Sequence, residues 1–159
     1  MIINGSELLC RGPIKGMINL KTREHGVSWG LSEAGYDIRI KQDVVFNRYG
    51  NVLVNGILSA GKFTLASAIE EFDMPLNLVG VVHDKSTWAR RGLSVLNTVI
   101  EPGWKGFLTL ELVHHGRESL HIPAGAGIAQ VIFHQTAERA EYKGKYQNQE
   151  DRPVDAING

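Results

Sequence analysis

Polar and apolar positions along this chain alternate far more often than they recur every three or four residues. In "GYDIRIK", Tyr36, Ile38 and Ile40 fall on one face and Asp37, Arg39 and Lys41 on the other, the period of a half-buried strand. "NVLV" and "KFTLAS" are short β-prone pieces separated by Gly and Asn. "NLVGVVHD" reads as a buried strand containing Gly80, "GFLTLELVHHG" as a strand bounded by glycines, and "GIAQVIFHQ" as another. Helical signals are confined to "GSELLCRG" and "STWARRG", a turn or two each, the second with Ser86 as its expected N-cap. Many short strands with regular turn signals predict an all-β sandwich or barrel, not a βαβ fold. No internal repeat or linker divides the chain, so a single domain over residues 1–159 is expected.

The last stretch, residues 137–159, breaks the pattern. "ERAEYKGKYQNQEDRPVDAING" is polar and aperiodic, and carries Gly144, Pro153 and Gly159. It reads either as a solvated tail or as an arm that orders over a ligand, with Lys145 and Gln149 as donors.

Composition narrows the function. The chain has 17 basic and 17 acidic side chains, a net charge of zero that argues against a general nucleic-acid binder. A local cluster can still hold a small anion. Cys10 is the only cysteine, which rules out an intrachain disulfide and a cysteine-rich metal site. "MIINGSELLCRGPIKG" lacks the apolar core of a signal peptide, and no later run approaches a membrane span, so a cytoplasmic protein is expected.

Three stretches carry candidate chemistry. In "FLTLELVH", alternation puts Leu108, Leu110 and Leu112 on one face and Phe107, Thr109, Glu111 and Val113 on the other. A carboxylate aligned with Phe and Val is out of place, since Glu is seldom buried unpaired. Desolvation would raise its pKa toward neutrality, which suits a group that takes and returns a proton. The plainer reading is an edge-strand Glu whose head reaches water. In "DKSTWARR", a helical turn after Lys85 would put Ser86 and Arg90 on one face. Free N–H groups, Lys85 and the hydroxyls of Ser86 and Thr87 would then suit a phosphate; the alternative is a capped surface turn plugged by Trp88. In "TVIEPGWKG", Pro102-Gly103 sets a tight turn, Trp104 anchors it, and Glu101 ends a strand where it can accept from a sugar hydroxyl. Gln130, the one polar residue inside "GIAQVIF", needs a partner if buried.

The histidines point away from zinc. His83, His114, His115, His121 and His134 lack HExxH spacing, and no H-x-E precedes a P-C-x-x-C. His114 and His115 face opposite sides of one strand. Neither a phosphate-cradling G-x-x-x-x-G-K-[ST] nor a G-x-S-x-G is present.

Taken in order, these segments resemble the dCTP deaminase and trimeric dUTPase superfamily. "SEAGYDIRI" is similar to its A-G-x-D-L motif, and "HDKSTWARRGL" to G-R-S-S-L-A-R-x-G. "VIEPGWKGFLTLEL" resembles I-D-P-G-[FW]-x-G-x-I-T-L-E-L, "IPAGAGIAQVIF" resembles x-P-G-M-R-I-A-Q-L-x-F, and "GKYQNQ" resembles S-K-Y-Q-G-Q. The resemblance implies a dUTPase-like distorted β-barrel, or β-clip, with one or two short helices, assembled as a homotrimer with sites between subunits. It implies hydrolytic deamination of dCTP, or a close deoxycytidine nucleotide, to dUTP and ammonia without a catalytic metal, Mg²⁺ accompanying the triphosphate. Glu111 would then be general base and proton shuttle, Ser86 a holder of the attacking water, and Arg90 a support of the catalytic centre. Lys85 and Thr87 would bind phosphate, and Glu101, Thr109, Leu110, Tyr142, Lys145 and Gln149 would lie on the substrate side.

The glutamate and the K-Y-Q-x-Q tail favour the deaminase branch over the dUTPase branch, whose glycine-rich arm is missing. A dUTPase-type pyrophosphatase, alone or as a bifunctional dCTP-to-dUMP enzyme, is the first alternative, and a non-catalytic nucleotide-binding trimer the second. Three positions depart from the family pattern. Glu101 stands where Asp is usual, "SVLNTVIE" is shorter than the family's turn, and Gly127 replaces an Arg.

Overall fold

Glycines and short β-branched runs cut the chain into brief strands, and the structure, a computed structural model, describes residues 1–96 and 98–159. The first half holds β1 (Ile2–Ile3), α1 (Gly5–Arg11), β2 (Lys21–Glu24), β3 (Val27–Leu31), β4 (Tyr36–Arg39), β5 (Val44–Phe46), β6 (Asn51–Val54) and β7 (Ile57–Ala60). The second holds β8 (Phe63–Asp73), β9 (Leu78–Asp84), α2 (Ser86–Ala89), β10 (Leu93–Val95), β11 (Val99–Ile100), β12 (Lys105–His114), β13 (Leu120–Ile122) and β14 (Gly127–Gln135). The pairings between these strands are all antiparallel, and a parallel bridge joins Gly106 to Gln149. One sheet runs β11-β9-β14-β4-β3-β2 with β1 beside β14, a second runs β10-β12-β8, and a third β13-β5-β6-β7.

The all-β expectation holds, with a difference in closure. The ladders form three sheets around one core and not one closed barrel, linked by bridges such as Ile40 with Ala68. That bridge lies where the β8–β12 register shifts between Phe107 and Thr109, which frees β8 to cross toward β4. There the buried Glu70 carboxylate accepts the Arg39 backbone N–H at 2.8 Å and its Nε–H at 2.9 Å. Along β12 the predicted alternation shows in burial, with Leu108, Leu110 and Leu112 buried and Phe107, Glu111 and Val113 half-buried, while Thr109 is buried as well. Phe107 lies by Trp29 and Arg39, and Leu108 reaches a cleft that Thr109 and Glu111 also line. In β9, predicted as fully buried, Leu78, Gly80 and Val82 are buried and the residues between them half-buried.

The predicted motif residues meet in a buried polar network. Asp37, 1% exposed, takes Lys85 Nζ on Oδ2 at 2.5 Å and Gln130 Nε2 on Oδ1 at 3.1 Å. Ser28 Oγ accepts from the same ammonium at 3.1 Å, and Ser32 Oγ accepts from Gln130 Nε2 at 2.8 Å. Gln130, half-buried, thus finds partners for its amide N–H groups, and β3, β4, β14 and the start of α2 are tied together. Close strand approach explains two glycines here. A Cβ on Gly35 would lie 2.0 Å from the Val131 carbonyl oxygen, and one on Gly127 2.0 Å from that of Ser28. The Arg of the motif that this stretch resembles has no room at position 127.

Candidate active site

The strand β12 carries Glu111 into a cleft of about 570 Å³ between β8, β12, β11 with the turn that follows it, and the C-terminal arm. The floor is apolar because Leu65, the cross-strand partner of Glu111, and Leu108 lie beside it. Glu111 Oε2 is buried there without a hydrogen-bond partner. Burial pushes the carboxyl above its ordinary range, and the residue's own backbone N–H draws it back in part. Glu111 sits on the central strand of its sheet, not an edge, and is half-buried, with Oε2 shielded from solvent.

The turn at the mouth is the predicted one. Trp104 N–H closes on the Glu101 carbonyl at 3.1 Å, and Gly103 has φ +74, the conformation that a type II turn demands two residues after Glu101. Trp104 packs on Phe72 with ring centroids 6.0 Å apart and donates its indole N–H to the Tyr146 carbonyl at 2.6 Å. Glu101 itself is exposed and lines the cleft.

The arm is an ordered wall, not a solvated tail. Tyr142 N–H bonds to the Pro102 carbonyl at 2.8 Å and Phe107 N–H to the Gln149 carbonyl at 3.1 Å. Gln147 Nε2 reaches the Gly103 carbonyl at 2.9 Å. Thr109 Oγ1 donates to Gln149 Oε1 at 3.2 Å and accepts from Val154 N–H at 3.1 Å. Lys145 donates to the Ile157 carbonyl. Val154, Asp155 and Ala156 complete the lining.

The helix α2 stands apart from this cleft; none of Lys85, Ser86, Thr87 and Arg90 lines it. Its N-cap is Lys85, with Ser86 the first helical residue, so the expected Ser86 cap is displaced by one position and makes no side-chain capping bond. Trp88, 3% exposed, donates its indole N–H to the Gly127 carbonyl at 2.6 Å and plugs the turn into the core. Ser86, Thr87 and Arg90 are exposed, with no side-chain hydrogen bond or ion pair among the described residues. Lys85 turns inward to Asp37, its side chain only 10% exposed.

A family model described as dCTP deaminase-like matches residues 53–136, more than half of the chain. The chain belongs to the dCTP deaminase-like family. It is 36% identical to a dCTP deaminase of Chlamydia abortus over 85% of this chain and 84% of the relative. It is 31% identical to a dCTP deaminase of Acidobacterium capsulatum over 94% of this chain and 96% of the relative. Among solved structures, the fold is similar to 2′-deoxycytidine 5′-triphosphate deaminase from Agrobacterium tumefaciens, with TM-score 0.59 and 11% identity, covering 88% of this chain and 50% of that one. It is also similar to the native dUTPase of EIAV, with TM-score 0.54 and 18% identity, covering 91% of this chain and 97% of that one.

Within this dCTP deaminase-like chain the residues singled out by sequence therefore fall into two groups. Glu101, Thr109, Glu111, Tyr142 and Gln149 share one cleft, while Ser86, Thr87 and Arg90 lie exposed on α2. Leu110 is 1% exposed, and its side chain belongs to the core. Lys145 holds the arm and does not line the cleft. Sequence reading missed Leu65, which only cross-strand pairing brings to Glu111, and Tyr146, which stood in the quoted "GKYQNQ". Of the shortened turn "SVLNTVIE", Asn97 lies outside the described residues; Thr98, Val99 and Ile100 line the cleft. No helix among the described residues is long and apolar enough to cross a membrane.

Proposed function

We propose that this protein hydrolyses the C4–amine bond of the cytosine base of dCTP, or of a close deoxycytidine nucleotide, giving the uracil nucleotide and ammonia. The observation that carries the reading is Glu111: a half-buried carboxylate with one oxygen unpartnered, facing an apolar cleft of ligand size. In this reading Glu111 takes a proton from a bound water, and the hydroxide adds to C4. Glu111 returns the proton to N3, and a second transfer carries the hydroxyl proton to the amine. The C4–N bond then breaks, and water plus the aminopyrimidine have become ammonia plus the uracil base. A carboxyl raised toward neutrality serves both directions of transfer.

Glu101 and Gln149 line the sugar and phosphate side of the same cleft, under the arm with Tyr142. Ser86, Thr87 and Arg90 complete the site from a second copy, in a homotrimer with sites between subunits; their exposure without partners supports this. Lys85 contributes by seating the turn, because withdrawing its ammonium to a phosphate would strand the buried Asp37 carboxylate. Magnesium would ride on the nucleotide's phosphates.

A second reading, pyrophosphate release with Glu101 activating water, is favoured by the presence of Glu101 in the same cleft and by the dUTPase-like fold. One assay separates them. Purified protein with Mg²⁺ is given dCTP, dCMP, dUTP, CTP and 5-substituted dCTPs, and the products are resolved by chromatography. dUTP with ammonia is expected from dCTP; dUMP signals both activities, and an untouched panel overturns the enzymatic reading.

A further inference from the structure

The end of α2 is clasped to β12 by a side chain that the reaction does not use. His114 is 2% exposed and stacks on Phe46 with ring centroids 5.4 Å apart. Its Nε2 lies 3.2 Å from the Arg91 carbonyl oxygen. A carbonyl only accepts, so Nε2 carries the proton and Nδ1 is bare. Nδ1 is buried without a partner. A phenyl ring would fill the same space without stranding a nitrogen, so the imidazole costs stability unless the Arg91 contact matters.

Everything around it serves the same junction. His115 N–H donates to the Gly92 carbonyl at 2.7 Å, and Leu93 pairs with His114. Gly116 lies against the ring, where a Cβ would sit 2.6 Å from Nε2. Lys62 Nζ donates to the Gly116 carbonyl at 2.6 Å while its own carbonyl receives His114 N–H at 2.9 Å. The short helix closes on this point through Arg90 N–H to the Ser86 carbonyl at 3.1 Å and Gly92 N–H to the Ala89 carbonyl at 3.0 Å. A one-turn helix has little stability of its own, so its seat depends on such anchors.

We propose that His114 is a positioning residue whose Nε2–H, donated to the Arg91 carbonyl, seats the end of α2 on β12 and so fixes the pose of Ser86, Thr87 and Arg90. This rests on the role given to those three residues above. The test compares His114→Gln, whose amide nitrogen falls where Nε2 lies, with His114→Asn, whose amide reaches only to Nδ1, and with His114→Phe, which keeps the ring. Amide hydrogen exchange over residues 88–92 and kcat/KM for dCTP are measured on the full-length protein. Loss of the one hydrogen bond predicts that Phe and Asn exchange about tenfold faster there and lose kcat/KM about tenfold. The Gln variant returns both to within about twofold of the parent, and the acid limb of kcat, set by Glu111, stays put in every variant.

Parent-like exchange and turnover in the Phe variant would overturn the proposal. So would a Gln variant no better than Asn, a comparison that stands even if Phe misfolds. If the parent turns over no nucleotide, the exchange measurements still decide the role of His114, and only the deaminase reading falls.

Discussion

Replacing Glu111 by Gln should make the protein more stable while ending its activity. The buried Oε2 has no partner, and such an acceptor costs about 1–3 kcal/mol, more when ionised. The residue is half-buried and keeps a bond to its own backbone N–H, which places the gain on neutralisation near the lower end, roughly 1 kcal/mol. In a domain of this size that is about 2–4 °C in Tm. The gain depends on pH. The folded carboxyl holds its proton above the ordinary value of 4.5, so as pH rises through that window the unfolded chain has released a proton that the folded chain still binds. Stability of the parent therefore falls as pH rises, whereas the Gln variant has nothing to titrate at this position. Thermal melts at equal protein concentration should nearly coincide at pH 4 and separate by pH 8, the variant higher. Ammonia release at pH 8 should drop at least 10²–10⁴-fold. A variant that melts below the parent at pH 8, or a gap of equal size at both pH values, would refute the account of the site; retained turnover would refute the role of Glu111 as base.

Other outcomes follow from the surrounding structure. Lys85→Met leaves Asp37 charged and buried among only neutral donors, and urea unfolding should report a loss of about 3–5 kcal/mol; a loss under about 1 kcal/mol would mean the pair is not buried as described. Gly127→Arg, which supplies the Arg of the motif that this stretch resembles, should fold poorly or melt many degrees lower, because its Cβ meets the Ser28 carbonyl at 2.0 Å. Trp104→Phe unpairs the Tyr146 carbonyl, at a cost of about 1–3 kcal/mol to the docked arm, and trypsin should cut faster after Lys143 and Lys145. His114 has the opposite pH sign to Glu111. Burial lowers its affinity for a proton from the ordinary 6.5, so the unfolded chain takes up a proton that the folded one refuses, and stability falls as pH drops below that value. Melts of His114→Phe at pH 7.5 and 5.5 should show a smaller acid loss than the parent.

Strand content, the turn at Pro102-Gly103 and the oddity of Glu111 in an apolar run were legible in the order of residues, because each rests on neighbours within one or two turns of chain. Period-2 alternation assigns faces locally, and a Pro-Gly pair carries its own geometry. What sequence missed was non-local. Lys85 read as a phosphate cation because its counter-charge, Asp37, lies 48 residues away. The crossing of β8 toward β4 rests on the shift against β12, a pairing between distant segments. The arm looked like solvated chain because most of its anchors involve backbone groups, which leave no side-chain pattern. By itself, then, the order of residues determined which side chains are candidates for the chemistry and the local structure that presents them. Tertiary structure alone decided which charges are spent internally and which remain for a ligand, since desolvation and pairing depend on what the fold brings into contact and not on what lies adjacent in the chain.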